Sequence, residues 1–145
     1  MELVHCIYTS AARSPAFGRK ELDELLKVCR TNNQAHGVTG MLLFEKGSFF
    51  QILEGERSQV EALFDKIATD PRHVRINKLI VERIAQRDFG EWTMGHGEIS
   101  ALDLLRIPGL NDFFSRGQSY EQLNEGRAKL LLAAFRDGDW RTRLS

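Results

Sequence analysis

Apolar residues alternate from Leu3 to Thr9, which predicts a strand with Val4, Cys6 and Tyr8 on one face and Leu3, His5 and Ile7 on the other. Pro15 and Gly18 mark the following stretch, 11–19, as a loop. From Lys20 to Asn33 the period changes. Leu22, Leu25, Leu26, Cys29 and Asn33 fall at i, i+3, i+4, i+7 and i+11, the stripe of an amphipathic helix, and Lys20, Glu24, Lys27 and Arg30 face away. Val38 to Glu45 and Ser48 to Glu54 read as two strands joined at Lys46-Gly47, a hairpin, with Gly55 ending the second. Ser58-x-x-Glu61 reads as a capping box opening a second helix, in which Val60, Leu63, Phe64 and Ile67 repeat the helical spacing up to the stop at Asp70-Pro71. Ile76 to Ala85 alternates as a fourth strand, and Glu91 to His96 is a short fifth one.

The order βαββαββ within residues 1–97 predicts an α+β domain, a ferredoxin-like sandwich with two helices on one sheet face. Residues 98–145 read as a C-terminal helical tail. Ser100-x-x-Asp103 is placed to cap a short helix over Ala101–Arg106, and Ser119-x-x-Gln122 a longer one with the stripe Ala128, Leu131, Leu132 and Phe135. So short a segment cannot bury Leu105, Ile107, Leu110, Phe113 and Phe114 by itself, so the tail is expected to pack on the open sheet face or on a partner subunit.

Composition narrows the function. The 145 residues carry 20 Lys+Arg and 20 Asp+Glu, and residues 1–97 carry 13 of each, so no basic region points to direct nucleic-acid binding. The longest apolar runs, Met41–Phe44 and Leu130–Phe135, fall far short of the ~20 residues of a membrane span. MELVHCIY lacks the pattern of a signal peptide, so a cytoplasmic protein with no membrane partner is expected. Two cysteines, Cys6 and Cys29, and four histidines without ligand spacing predict neither a disulfide scaffold nor a metal site.

Three residues stand out against the apolar pattern. Asn33 continues the stripe of the first helix, with Asn32 beside it. A buried amide needs a partner, although both asparagines also suit a helix C-terminus bonding its own backbone. Gln51 shares a strand face with Phe49 and Leu53, but Phe50 and Ile52 make the other face equally apolar, so alternation does not tell which face is covered. Tyr8 lies one strand away, and its hydroxyl needs a partner if buried. Together Tyr8, Gln51 and Asn33 describe a cleft of neutral polar groups in apolar surroundings, suited to a planar heterocycle with amide-like edges. Trp92 and Met94 share a face of the last strand, where core packing is the ordinary role. Arg72-His73, near Lys66 and Asp70, suits a phosphate or a solvated helix end. Phosphate-loop, dinucleotide, zinc-protease and nucleophile-elbow motifs are missing. An acylphosphatase-like enzyme of this fold needs a phosphate-cradling loop, for which Thr9 to Gly18 is a poor match.

Six blocks occur in order: Tyr8-Thr9-Ser10, Asn32-Asn33, Gly37-Val38-Thr39-Gly40-Met41-Leu42, Phe49-Phe50-Gln51-Ile52-Leu53-Glu54-Gly55, Asp70-Pro71-Arg72-His73 and Arg87-x-Phe89-x-x-Trp92-x-Met94. Together, over about residues 2–97, they resemble the BLUF family, blue-light sensors using flavin. The resemblance implies a short stand-alone photoreceptor, not an enzyme, binding FAD, with FMN or riboflavin as substitutes. It implies that Asn33 and Asn32 bond the ring carbonyl and imide edge, and that Gln51 reaches both the ring and Tyr8. Leu25, Leu26, Cys29, Leu43 and Phe49 are expected to wall the ring, and Lys66, Asp70, Arg72 and His73 to face the ribityl and phosphate side. Tyr8, Gln51, Trp92 and Met94 are the expected photoactive group, with Tyr8 giving an electron and a proton and Gln51 rearranging. Signalling would pass through the last strand and tail to an unidentified downstream protein, from a homo-oligomer. Two alternatives stand beside it: a cofactor-free homo-oligomerising module and a flavin-dependent redox enzyme.

Overall fold

The computed structural model describes residues 2–45, 47–90, 94–97 and 104–137. Strand β1 (Leu3–Ala12) leads into helix α1 (Arg19–His36), which ends on Gly37 in the left-handed conformation, φ 66°. Strands β2 (Thr39–Glu45) and β3 (Ser48–Glu56) pair as the expected antiparallel hairpin, with Glu45 opposite Ser48. Helix α2 (Arg57–Ala68), β4 (His73–Arg83) and the three-residue β5 (Gly95–Gly97) complete the first part. The sheet order is β4-β1-β3-β2-β5, antiparallel except for β5, which runs parallel to β2. This is the ferredoxin-like arrangement expected, with the fifth strand added at one edge.

Alternation sends the two faces of the sheet into two cores. Val4, Cys6, Tyr8, Leu42, Phe49 and Leu53 point toward α1 and α2 and pack against Leu22, Leu25, Leu26, Val60, Leu63 and Phe64. Ile7, Met41, Leu43, Phe50, Ile52 and Ile80 point the other way. There they meet Leu104, Ile107, Leu110, α3 (Asn111–Ser115), a 3₁₀ turn at Tyr120–Gln122 and α4 (Glu125–Asp137). The stripe Ala128, Leu131, Leu132 and Phe135 is buried as its spacing predicts. Each buried leucine or phenylalanine contributes about 1.5–3 kcal/mol, so the tail is part of the fold. Exposed ion pairs add little to this: Arg75 to Glu121 (2.8 Å) and Lys129 to Glu82 (3.4 Å).

Several boundaries differ from the sequence reading. β3 runs on through Gly55 to Glu56, and Glu56, not Ser58, caps α2: its carboxylate accepts from the Gln59 amide (3.3 Å) and from the Ser58 hydroxyl. Ser58 thus lies one residue inside the helix. Ser119 and Gln122 do close on each other, Ser119 N–H to Gln122 Oε1 at 2.9 Å, but around the 3₁₀ turn; the long helix starts later, with Asn124 accepting from the Arg127 amide (2.9 Å). β4 begins three residues before Ile76 and ends at Arg83. Residues 91–93 and 98–103, with half of the expected fifth strand and the first half of the short helix expected at 101–106, lie outside the described residues; Leu104 and Leu105 are helical.

The chain reaches β5 through a built anchor. The Glu54 side chain is fully buried on the tail side of β3. It accepts from the backbone amides of Asp88 (2.6 Å) and Phe89 (3.0 Å) and from the Thr39 hydroxyl (3.0 Å). Arg87 reinforces this from outside, donating to Thr39 Oγ1 (2.8 Å), the Glu54 carbonyl (3.0 Å) and the Gly37 carbonyl (2.8 Å). Burial pushes the Glu54 carboxyl above its ordinary value, while the Asp88, Phe89 and Thr39 donors work in the opposite sense. Gly40 permits the β2–β3 approach here, since a Cβ would overlap the Ile52 carbonyl oxygen. Both carboxylate oxygens are acceptors. Glu54→Gln therefore sets an NH₂ group against a backbone N–H and is expected to cost about 1–3 kcal/mol in urea unfolding. Wild-type stability in that variant would show that the anchor is dispensable.

Candidate functional site

Tyr8 and Gln51 are directly opposite in the β1–β3 ladder, on the face covered by the helices. The ladder settles which face of β3 is involved: Phe49, Gln51 and Leu53 turn toward α1 and α2. Tyr8 has no solvent exposure, Gln51 only 4% and Asn33 only 1%. The Tyr8 hydroxyl donates to Gln51 Oε1, and Gln51 Nε2 donates to Met94 Sδ at 3.6 Å. Phe64 meets the Tyr8 ring edge-on, with centroids 5.1 Å apart. Burial, before any charge effect, pushes the Tyr8 phenol well above its ordinary value, so the group is neutral.

Beside this pair a cavity of about 230 Å³ opens between α1, α2 and the sheet. Ten of the expected residues line it: Leu25, Cys29, Asn32, Asn33, Phe49, Gln51, Lys66, Asp70, Arg72 and His73. Asn33 occupies it from the last turn of α1, where its backbone carbonyl also accepts from the Gly37 and Val38 amides. The helix-terminus role and the cavity role thus coexist in one residue. Asn32 Oδ1 accepts from Lys66 Nζ (3.5 Å), which brings the two helices together at the cavity rim. Arg72 is committed to Asp70, with Nε and Nη2 both on the carboxylate (Nη2 to Oδ2 2.8 Å). Burial works against ionisation of Asp70, but the Arg72 bonds prevail and hold its carboxyl below the ordinary value.

Four expected residues do not line the cavity. Tyr8 and Met94 touch Gln51 instead, as described. Leu26 packs in the same apolar cluster. Leu43 is a correction: it faces the tail-side core, because β2 alternates and Leu42 takes the helix side. Trp92 lies outside the described residues. Val28, Leu63 and Ile67 line the cavity without having been expected there. The spacing of α2 put Leu63 and Ile67 on its inner stripe. Val28 is 42% exposed and off the stripe of α1, so only the crossing of the two helices brings it to the rim. No group of three His, Cys, Asp or Glu side chains able to hold a metal ion occurs among the described residues.

The donor set fits a flat, uncharged, carbonyl-rich ring. Apolar walls from Leu25, Phe49, Leu63 and Ile67 surround neutral amides at Asn33 and Gln51, with charged groups only toward the rim. Comparison with known proteins agrees. The BLUF family, sensors of blue light using FAD, matches residues 3–95, and the chain belongs to it. The blue light- and temperature-regulated antirepressor BluF of Escherichia coli K12 is 38% identical over 104 residues, 72% of this chain. This chain spans only a quarter of that relative's length. The photo-activated state of BlsA superposes with a TM-score of 0.80 at 28% identity, covering 95% of this chain and 97% of BlsA. BlrB, a BLUF protein in its dark state, gives 0.69 at 29% identity over 92% of this chain and 97% of its own. The fold, the Tyr8–Gln51 bond and these matches define a BLUF domain.

His73 supplies a test of the cavity's interior. Its Nε2 faces the Ile67 carbonyl (3.0 Å) and its Nδ1 the Ser10 hydroxyl (3.3 Å), a pairing that suits a neutral ring with the proton on Nε2. Burial lowers its proton affinity below the ordinary value. The stability this gives is complete above the ordinary histidine range and is lost as pH falls through the lowered value. Denaturant unfolding between pH 7.5 and 5 should show this loss in the wild type, and a weaker one in His73→Gln. Equal pH slopes would refute it.

Proposed function

We propose that this chain is a blue-light photoreceptor that binds FAD non-covalently in the cavity between α1 and α2. Its signal is a hydrogen-bond rearrangement at Gln51. The single observation carrying this reading is the buried hydroxyl of Tyr8 donating to Gln51 Oε1 at the cavity wall.

Asn33, with Asn32, is assigned to the carbonyl and imide edge of the ring, and Gln51 to the edge nearest Tyr8. Leu25, Cys29, Phe49, Leu63 and Ile67 are assigned to the ring faces. Lys66 and His73 are assigned to the ribityl and phosphate side. Arg72, already paired with Asp70, supports that rim more than it offers a free cation.

A bound flavin supplies the absorption of blue light and, once excited, a strong oxidant. Tyr8 is the oxidisable phenol beside it. Because the phenol is buried and neutral, losing an electron makes its proton strongly acidic, and the acceptor in place is Gln51 Oε1. Gln51 has donor and acceptor ends and is therefore able to hold two hydrogen-bonding arrangements. When electron and proton return to Tyr8, the amide is left in the second arrangement and presents a changed hydrogen bond to the ring, shifting absorption to the red. The O–H bond of Tyr8 is broken and remade, leaving no net covalent change, so Gln51 acts as a two-state switch.

Met94 touches the Gln51 amide and immediately precedes β5, so a change at Gln51 reaches the sheet edge first. We assign residues 1–97 to the sensing domain and 98–145 to an extension carrying the output to a downstream protein, from a cytoplasmic homo-oligomer with no enzymatic activity of its own. The BLUF relatives that carry adenylyl cyclase activity or bind cyclic diGMP support such coupling in general terms. No helix among the described residues is long and apolar enough to cross a membrane.

Tyr8→Phe is expected to yield a yellow protein that lacks the reversible red shift in light-minus-dark absorption, and Gln51→Leu to do the same. A normal photocycle in Tyr8→Phe would overturn the role of the phenol. A colourless wild-type protein would favour the interaction module, and steady turnover with an added reductant would favour the redox enzyme.

A further inference from the structure

A second cavity, of about 180 Å³, lies on the other side of the sheet, between the end of the β2–β3 hairpin and the tail. Glu45 and Ser48 oppose each other in that ladder and share the tail-side face, and Leu104, Phe114, Gln118 and Tyr120 complete the lining. Gly117, left-handed at φ 78°, turns the chain after α3, and the 3₁₀ turn that follows packs on β1 and β3. A dry cavity of about 150 Å³ already accepts a benzene ring, so this one has room for a ring and a short polar arm.

Its lining has two characters. Leu104 is buried, and the Phe114 and Tyr120 rings meet edge to face with centroids 6.0 Å apart, which makes an apolar wall. The hairpin residues are polar. Ser48 Oγ donates its proton to the Glu45 carbonyl (3.0 Å) and keeps its lone pairs. Tyr120 is only 1% exposed, yet its hydroxyl has no hydrogen-bond partner among the described residues. A hydroxyl left unmatched in a dry interior costs the fold more than one ordinary net hydrogen bond contributes. Burial first, and then the Glu45 charge, push this phenol up, so carboxylate and hydroxyl share one electrostatic neighbourhood. None of the described residues lining the cavity is basic.

We propose that this cavity binds a small primary amine with one aromatic or short aliphatic body, the ammonium taken by the Glu45 carboxylate and the Ser48 and Tyr120 oxygens. An ammonium has three donors and no acceptor, which matches one negative charge and two hydroxyl oxygens. Leu104 and Phe114 receive the body. An anion of the same shape would face the carboxylate, and a neutral alcohol gains nothing from its charge. The site lies behind β3 from Gln51 and does not depend on the reading of Gln51 as the switch.

The test titrates the full flavin-loaded chain with benzylamine, benzyl alcohol and benzoate, followed by calorimetry. With flavin loaded, the cavity between α1 and α2 is not open to these probes. Benzylamine should bind one to one, benzyl alcohol about tenfold more weakly, and benzoate not at all. Tyr120→Phe should weaken benzylamine about two- to tenfold, the range of one ordinary net hydrogen bond, and Glu45→Gln about tenfold or more, the range of a bond to a charged group. Without amine, Tyr120→Phe should unfold in urea at the wild-type midpoint or above it, because the hydroxyl contributes nothing to the fold.

No saturable binding of benzylamine, equal affinity for the alcohol, or binding of benzoate would each overturn the proposal. These comparisons need only the wild-type chain, so a variant that misfolds does not remove the test. Unchanged affinity in either variant would overturn it as well. So would a lower urea midpoint in Tyr120→Phe, which would show the hydroxyl bonded within the fold.

Discussion

A phenol and a carboxamide sit opposite each other on neighbouring antiparallel strands, in a region closed to water, and this pairing organises the molecule. Opposed residues of such a ladder share a face and lie within contact range, so the β1–β3 register by itself brings Tyr8 and Gln51 together. Slipping that register by one residue would turn Gln51 into the tail-side core and expose the helix side to a mismatched set. The register is carried by the continuous ladders of β3 with β1 and β2, and both faces of the sheet are covered. Low polarity around the pair then does two things at once. It strengthens the hydrogen bond and keeps the phenol neutral, which is the state from which coupled loss of an electron and a proton begins.

The second core has a role in this beyond added stability. The tail helices cover the sheet from behind, so Phe50 and Ile52 are as dry as Phe49 and Leu53 on the sensing side. Glu54 uses that dry interior to grip the amides of Asp88 and Phe89 and so directs the chain toward β5, where Met94 returns to the Gln51 side of the sheet. The motif blocks Phe49–Gly55 and Arg87–Met94, far apart in the chain, are thus two halves of one device: the first supplies the switch and the acceptor, the second the amides and the sulfur.

Much of this was legible in the sequence. The helical stripe ending in Asn33 and the short strands gave the sandwich; of the polar exceptions, Asn33 and Gln51 line the cavity and Tyr8 bonds Gln51 beside it. What alternation could not decide was the covered face of β3, because a sheet with a core on each side has no wet face to give contrast. The same cause misplaced Leu43: in Met41-Leu42-Leu43-Phe44 every position is apolar, and only pairing with β3 shows that Leu42 faces the helices. The start of α2 escaped for a local reason, since a glutamate cap at Glu56 competes with the more familiar serine at Ser58. Val28 escaped for a global one, since a helix crossing is not written in the spacing of either helix.

The edge strand beyond Met94 is Gly95-His96-Gly97, three residues beside Met41–Leu43 in a parallel ladder. Two of the three have no side chain to lodge between neighbours, and parallel pairing is the less stable kind. At Gly95 and Gly97 the edge is thus joined to β2 through backbone alone.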